Sequence, residues 1–244
     1  MNARAQSVLG LVLAAVVFVL AAEVIPSLPL VSSAVEATEW LARSDITQLV
    51  FLVGSLVAML ALGRWKSGAY GLKGCSWRDV GRAVGVSAAI SLGVVVATMI
   101  VMSVLGPRGA GMGMPGVDSF VKVVVSVWLL ASTAEEMLFR GLLLGALSPL
   151  SRRAWTVGRC RISRPVVIAA VLFGLVHLGL MRVMAAPMVV LIVVMATVAG
   201  LVAGYYREKT GSLVPAVAAH MTFNVVSGGI VMILSRVMTA QQPG

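Results

Sequence analysis

Between Val121 and Leu144 the chain runs on as an apolar, helix-length stretch, and in its middle stand Glu135, Glu136 and Arg140. A charge near the centre of a membrane helix costs about 2.5–3.5 kcal/mol, so three unpaired charges cost roughly 8–10 kcal/mol. The Val, Leu and Phe residues of the stretch return only about 4–7 kcal/mol, at about 0.3–0.6 kcal/mol each. Such a helix cannot stand alone in lipid with those groups exposed. It must turn them toward other helices or a wet cavity, and the rest of the chain must supply what meets them.

Composition supports the membrane reading. Of 244 residues 59% are hydrophobic and 11% charged, and the mean hydropathy is +1.02, values of a polytopic membrane protein. Seven apolar spans are expected, at roughly 7–25, 46–63, 83–106, 119–148, 165–181, 184–206 and 212–236. Most approach the ~20 residues that cross a hydrocarbon core. The expected fold is therefore an all-α polytopic transmembrane helix bundle, with a weak signal for an interfacial helix within 31–44. Three parts are expected: N-terminal helices over 1–118, a core of four spans over 119–236, and a tail over 237–244. The first span competes with a signal peptide, but Leu20, Ala21 and Ala22 make a poor cleavage site before Glu23, and the span is read as retained.

Loop charge orients the bundle. The formal charge of +10 gathers in short loops rather than on a nucleic-acid-binding face, so no nucleic-acid partner is expected. Loop 64–82 carries Arg64, Lys66, Lys73, Arg78 and Arg82 against Asp79; loop 149–164 carries Arg152, Arg153, Arg159, Arg161 and Arg164; loop 207–211 carries Arg207 and Lys209 beside Glu208. With seven spans these loops and the N-terminus fall in the cytoplasm and the C-terminus outside. Pro149 and Pro165 bracket the arginine-rich loop as helix boundaries. Cys75 and Cys160 both lie in cytoplasmic loops, where a disulfide is not expected. The glycines of 109–116 follow no strand, which excludes a phosphate-binding loop. The use of Ala, Val, Gly and Arg suggests a GC-rich bacterium, and the expected location is the plasma membrane, as a multi-pass protein with lipid around it.

The two histidines, His177 and His220, both fall inside spans. A histidine in a membrane helix often just bonds a neighbouring helix, but two histidines, two glutamates, an arginine and an asparagine on three spans are harder to read as packing. Glu136 and Arg140 stand i and i+4 and can pair. Glu135 is turned about 100° away, which leaves it as the free carboxylate. His220 and Asn224 share the same spacing, as do Phe173 and His177, which sets an aromatic ring beside an imidazole. Counted at about 1.5 Å per residue, these groups converge in the cytoplasmic half of the bundle. A carboxylate and an imidazole sharing a water make a general base, and an imidazole N–H with an asparagine N–H cradles an oxyanion. Together they suit amide hydrolysis within a membrane.

At these residues the chain resembles the CAAX prenyl endopeptidase and bacteriocin-processing (CPBP, or ABI) family of intramembrane proteases. Three motifs carry the resemblance: Glu135-Glu136-x-x-x-Arg140, Phe173-x-x-x-His177 and His220-x-x-x-Asn224. Each alone is weak; the ordered set, one per span over roughly 119–236, is specific. The resemblance implies that Glu135 and His177 activate water, that His220 and Asn224 stabilise the oxyanion, and that Glu136 and Arg140 fix the geometry. It implies a membrane endopeptidase acting on membrane-associated or lipidated, CAAX-like peptides. No cofactor is favoured. Zinc is the alternative, with Glu135, His177 and His220 as its ligands, but no His-Glu-x-x-His helix is present and asparagine is a poor zinc ligand.

Two other classes compete. A non-catalytic scaffold or regulator of a membrane partner needs no asparagine opposite Glu135. A proton-coupled transporter could use a carboxylate pair, but the sequence lacks the repeats and paired broken helices of such proteins. Neither natural substrate nor oligomeric state is legible.

Overall fold

The computed structural model describes residues 3–38, 40–63, 68–105, 119–150, 153–158 and 160–240. Arg64, Lys66, Arg152, Arg159, the glycine-rich stretch 109–116 and the last four residues of the tail lie outside the described residues.

Each expected span corresponds to a helix. Helix α1, Ala3–Val19, runs on through a π turn, Leu20–Val24, into a 3-10 turn, Ile25–Ser27, where Pro26 ends it. Leu28 is extended and Pro29 opens the short α2, Pro29–Glu36, as proline can at a first helical turn. Helix α3, Arg43–Ala61, begins where Asp45 Oδ2 accepts from the Ala42 N–H at 2.8 Å. Helix α4 is Trp77–Leu105, starting six residues earlier than the hydropathy edge implies. The charged helix, α5, spans 120–150 and is wound unevenly, with π segments at Val123–Ala131 and Met137–Leu143 around an α-helical Ser132–Glu136. Helix α6, Arg164–Val176, is capped by Ser163, whose Oγ accepts from the Val166 N–H, and continues as a 3-10 turn, His177–Arg182. Helix α7, Ala186–Thr210, stops at Gly211 in the left-handed region, φ 67°, and α8 is Val214–Ala240. Among the described residues five helices are long and apolar enough to cross a membrane: Arg4–Ser27, Arg43–Ala61, Trp77–Ala97, Arg164–Arg182 and Ala186–Thr210; Val214–Ile230 is a shorter apolar stretch. The chain is a helical membrane bundle.

The arginine-rich loop differs from its expectation. It folds as an antiparallel hairpin, β1 Ala154–Val157 and β2 Cys160–Ser163, with Trp155 opposite Ile162. Its aromatic and β-branched residues flank Gly158, φ 59°, and these are strand and turn signals that the arginines mask. Pro149 also sits within a last 3-10 turn, Ser148–Leu150, rather than beyond the helix. Cys75 and Cys160 are both free thiols.

Small residues set the packing around the site. A Cβ on Gly174 of α6 would overlap Thr197 Oγ1 of α7 and come within 2.8 Å of Val193 O. A Cβ on Gly200 of α7 would lie 2.7 Å from Arg140 Nη2. Close helix approach of this kind is how membrane helices gain contact without a hydrophobic driving force. One core cluster joins Ala14, Phe51 and Met59 from the first helices to Leu138, Leu142 and Phe173, so α1 and α3 pack directly against the charged helix.

A strap closes the basic end of the bundle. Arg207 Nη2 donates to Ala69 O at 2.7 Å, the Leu213 N–H to Gly71 O at 2.9 Å and Ser212 Oγ to Lys73 O at 2.5 Å. Tyr70, buried in the same strap, packs where a side chain at Gly145 would otherwise sit.

Candidate active site

The unpaired charges of α5 find their partners on three other helices. Arg140 Nη1 donates to Glu136 Oε1 at 2.7 Å, with both side chains wholly buried. From α8, His220 brings Nδ1 to the same oxygen at 2.9 Å. Its other nitrogen, Nε2, lies 3.8 Å from Glu135 Oε2. Adjacent carboxylates diverge by about 100° on a helix, yet one imidazole meets both, one ring nitrogen to each. Because a carboxylate paired with arginine is an acceptor, the Nδ1 contact is a His220 N–H donating to Glu136, and Nε2 is the nitrogen left for chemistry. Glu136 is wholly buried, whereas the Glu135 side chain is 16% exposed, so Glu135 is the carboxylate that a water can reach.

Phe173 ties the remaining groups together. Its ring stands edge-on to His177 at 5.1 Å and to His220 at 5.3 Å between centroids. The Arg140 guanidinium lies over it at 4.4 Å, a cation–π contact in a desolvated setting. His177 caps the end of α6 and bonds Phe173 O through Nδ1 at 2.8 Å. A carbonyl only accepts, so that nitrogen carries the proton and the neutral ring keeps its lone pair on Nε2. His177 thus joins the group across Phe173, not by direct bonding to Glu135.

Asn224 is engaged by α5. Its Nδ2 donates to Ser132 Oγ at 3.0 Å and, more weakly, to Val127 O at 3.4 Å. His177, His220 and Asn224 line a cavity of about 150 Å³ together with Phe173, Ala196, Ala199, Phe223 and Ser227. Its lining residues on α8 fall about 9–20 Å from the start of that helix, at about 1.5 Å per residue, so the cavity is centred near mid-depth.

Among the described residues no group of three or more His, Cys, Asp or Glu side chains is placed to hold an ion; the Nδ1 atoms of His177 and His220 are bonded to Phe173 O and Glu136 Oε1, which leaves each Nε2 as the open nitrogen.

Two contributors escape a reading by motif. Gln48 of α3 donates from Nε2 to Glu135 Oε1 at 2.8 Å, and Ser132 receives Asn224. Gln48 had a signal available, since a polar side chain inside a membrane span is a functional candidate by default. Ser132, one of many small hydroxyls in the chain, had none.

Residues 118–226 match a protein-family model described as Rce1-like, type II CAAX prenyl endopeptidase. No curated protein and no solved structure matches the chain.

Proposed function

We propose that the chain, whose residues 118–226 match the Rce1-like type II CAAX prenyl endopeptidase family model, is a membrane endopeptidase using Glu135 as general base. The family is one of proteases, and the observation that carries the reading further is His220 lodged between Glu135 and Glu136 beside a cavity. Glu135 Oε2 takes a proton from water while the water oxygen bonds to the scissile carbonyl carbon. His177 Nε2, its lone pair free, holds the same water. The carbonyl oxygen becomes an oxyanion. His220, protonated on both nitrogens, donates Nδ1–H to Glu136 and Nε2–H to that oxyanion. The second N–H of Asn224 exchanges its long bond to Val127 O for the oxyanion. Collapse of the intermediate breaks the C–N bond, Glu135 returns its proton to the leaving amine, and a carboxyl and a free amine result.

Glu136, Arg140 and Phe173 act by holding this arrangement. The substrate class is a membrane-associated or lipidated peptide, reached from within the bilayer. The decisive experiment is cleavage of a quenched membrane peptide by the purified protein and by Glu135→Ala, His177→Ala and His220→Ala, with and without chelator. All three variants are expected to lose activity and the wild type to keep it in chelator. Activity retained by Glu135→Ala would overturn the assignment, and loss in chelator reversed by zinc would overturn the metal-free chemistry.

A further inference from the structure

The carboxylate on which the proposed hydrolysis depends is itself held by a residue outside the family-matched segment. Gln48 of α3 donates from Nε2 to Glu135 Oε1 at 2.8 Å. Chemistry fixes the orientation of that amide, because an ionised carboxylate only accepts and must face the nitrogen. The other end of the amide, Gln48 Oε1, is buried and has no hydrogen-bond partner among the described residues. Burying an amide carbonyl unpaired is unfavourable, so packing alone gives no reason for glutamine at this depth. A leucine or methionine would fill the space without that cost.

The position is also well anchored. The adjacent Thr47 donates from Oγ1 to Ala21 O, in the π turn that continues α1, at 3.1 Å, and Asp45 caps the start of α3. On the following turn Phe51 is part of the central core. Gln48 therefore projects from a fixed backbone toward a carboxylate that has two distinct oxygens. One is tied to Gln48; the other, Oε2, is turned to His220 Nε2.

We propose that Gln48 is a positioning residue for the hydrolysis: it holds Glu135 Oε1 so that Oε2 alone is presented to water. The proposal rests on Glu135 being the base. A neutral donor suits the task, since lysine or arginine would form an ion pair and weaken the carboxylate as a base. It also gives the first helices a share in the site, because a segment confined to 118–226 would lack this contact.

The test uses the full chain in nanodiscs with a quenched peptide. Gln48→Met keeps the shape and removes the donor, and it is expected to lower kcat by about 10–100-fold, the scale of misplacing a reacting group, with KM within about threefold. Gln48→His restores an N–H at similar reach and is expected to recover part of kcat. Should Gln48→Met fold poorly, Gln48→His against Gln48→Leu supplies the same contrast. Gln48→Met with wild-type kcat would overturn the proposal, as would equal losses in kcat and thermal stability that Gln48→His fails to relieve. Glu135→Gln, run alongside, separates the two readings: if it stays active, the base assignment has failed and not merely the role of Gln48.

Discussion

His220 Nδ1 meets Glu136 Oε1 at 2.9 Å, on an oxygen that Arg140 Nη1 already reaches at 2.7 Å. One carboxylate oxygen thus serves a guanidinium from its own helix and an imidazole from another. Glu136 Oε2, Arg140 Nε and Arg140 Nη2 are buried without hydrogen-bond partners among the described residues. The pair is therefore satisfied at one point of contact, and each member depends on the other as its ionic partner in a dry interior.

That dependence predicts a non-additive stability pattern. Breaking a buried pair by removing one partner costs about 3–5 kcal/mol, whereas replacing both by apolar groups of similar volume is often neutral or stabilising. Glu136→Leu or Arg140→Met alone is expected to destabilise by about that amount, and the double variant to recover most of it. Equilibrium unfolding in mixed micelles measures the cycle. Strictly additive losses would mean that the two side chains do not act as a pair.

Much of this was legible in the sequence, and the exceptions have physical causes. The spans were readable because lipid demands long apolar helices, and the Glu136–Arg140 pair because i and i+4 meet on any helix close to α-helical winding. The strand hairpin was hidden because arginines dominate its composition. The sharing of His220 by both glutamates was hidden too: a helical wheel gives directions on one helix and says nothing of a ring inserted from another. Gln48 lay outside every motif, and its contact with Glu135 exists only once α3 packs on α5. The strap was illegible because it is made of backbone carbonyls at Ala69, Gly71 and Lys73, which carry no side-chain signature.

Two glycines at the α6–α7 contact should respond unequally to alanine. At Gly174 the added Cβ meets a backbone carbonyl, Val193 O, at 2.8 Å as well as overlapping Thr197 Oγ1. At Gly200 it meets Arg140 Nη2 at 2.7 Å and Ala170 Cα at 3.0 Å. Overpacking of this kind costs about 1–3 kcal/mol. Gly174→Ala is expected to lower the melting temperature more, because a helix backbone cannot swing aside. Gly200→Ala is expected to lower peptide cleavage more than stability, since it presses on the guanidinium that holds Glu136. The reverse ranking in paired thermal and activity measurements would contradict this account.

The two free thiols report orientation. Cys160 is exposed on β2 and Cys75 is half-buried after the strap, and both lie with the basic loops. If those loops are cytoplasmic, as their charge requires, a membrane-impermeant maleimide will label Cys160 in inverted vesicles and leave it untouched in right-side-out vesicles. Labelling from the outer face would reverse the topology.

The strap itself is expected to be held by Arg207 and Gly71. Gly71 adopts φ 77°, and a Cβ there would collide with the Arg207 side chain, which bonds Ala69 O. Gly71→Ala combines that collision with a left-handed alanine, itself unfavourable by about 1–2 kcal/mol. Arg207→Met removes only the hydrogen bond, about 1.5–3 kcal/mol for a charged donor, and spares the backbone. Cys75 follows the strap directly, so its maleimide reaction rate reads the opening, with Cys160 as an internal control. Both substitutions are expected to speed Cys75 labelling by about tenfold or more, since about 1.4 kcal/mol corresponds to a factor of ten, while Cys160 keeps its rate. If Cys75 reacts at the wild-type rate in Arg207→Met, the guanidinium does not hold the strap and the closure of that face depends on Leu213 and Ser212 alone.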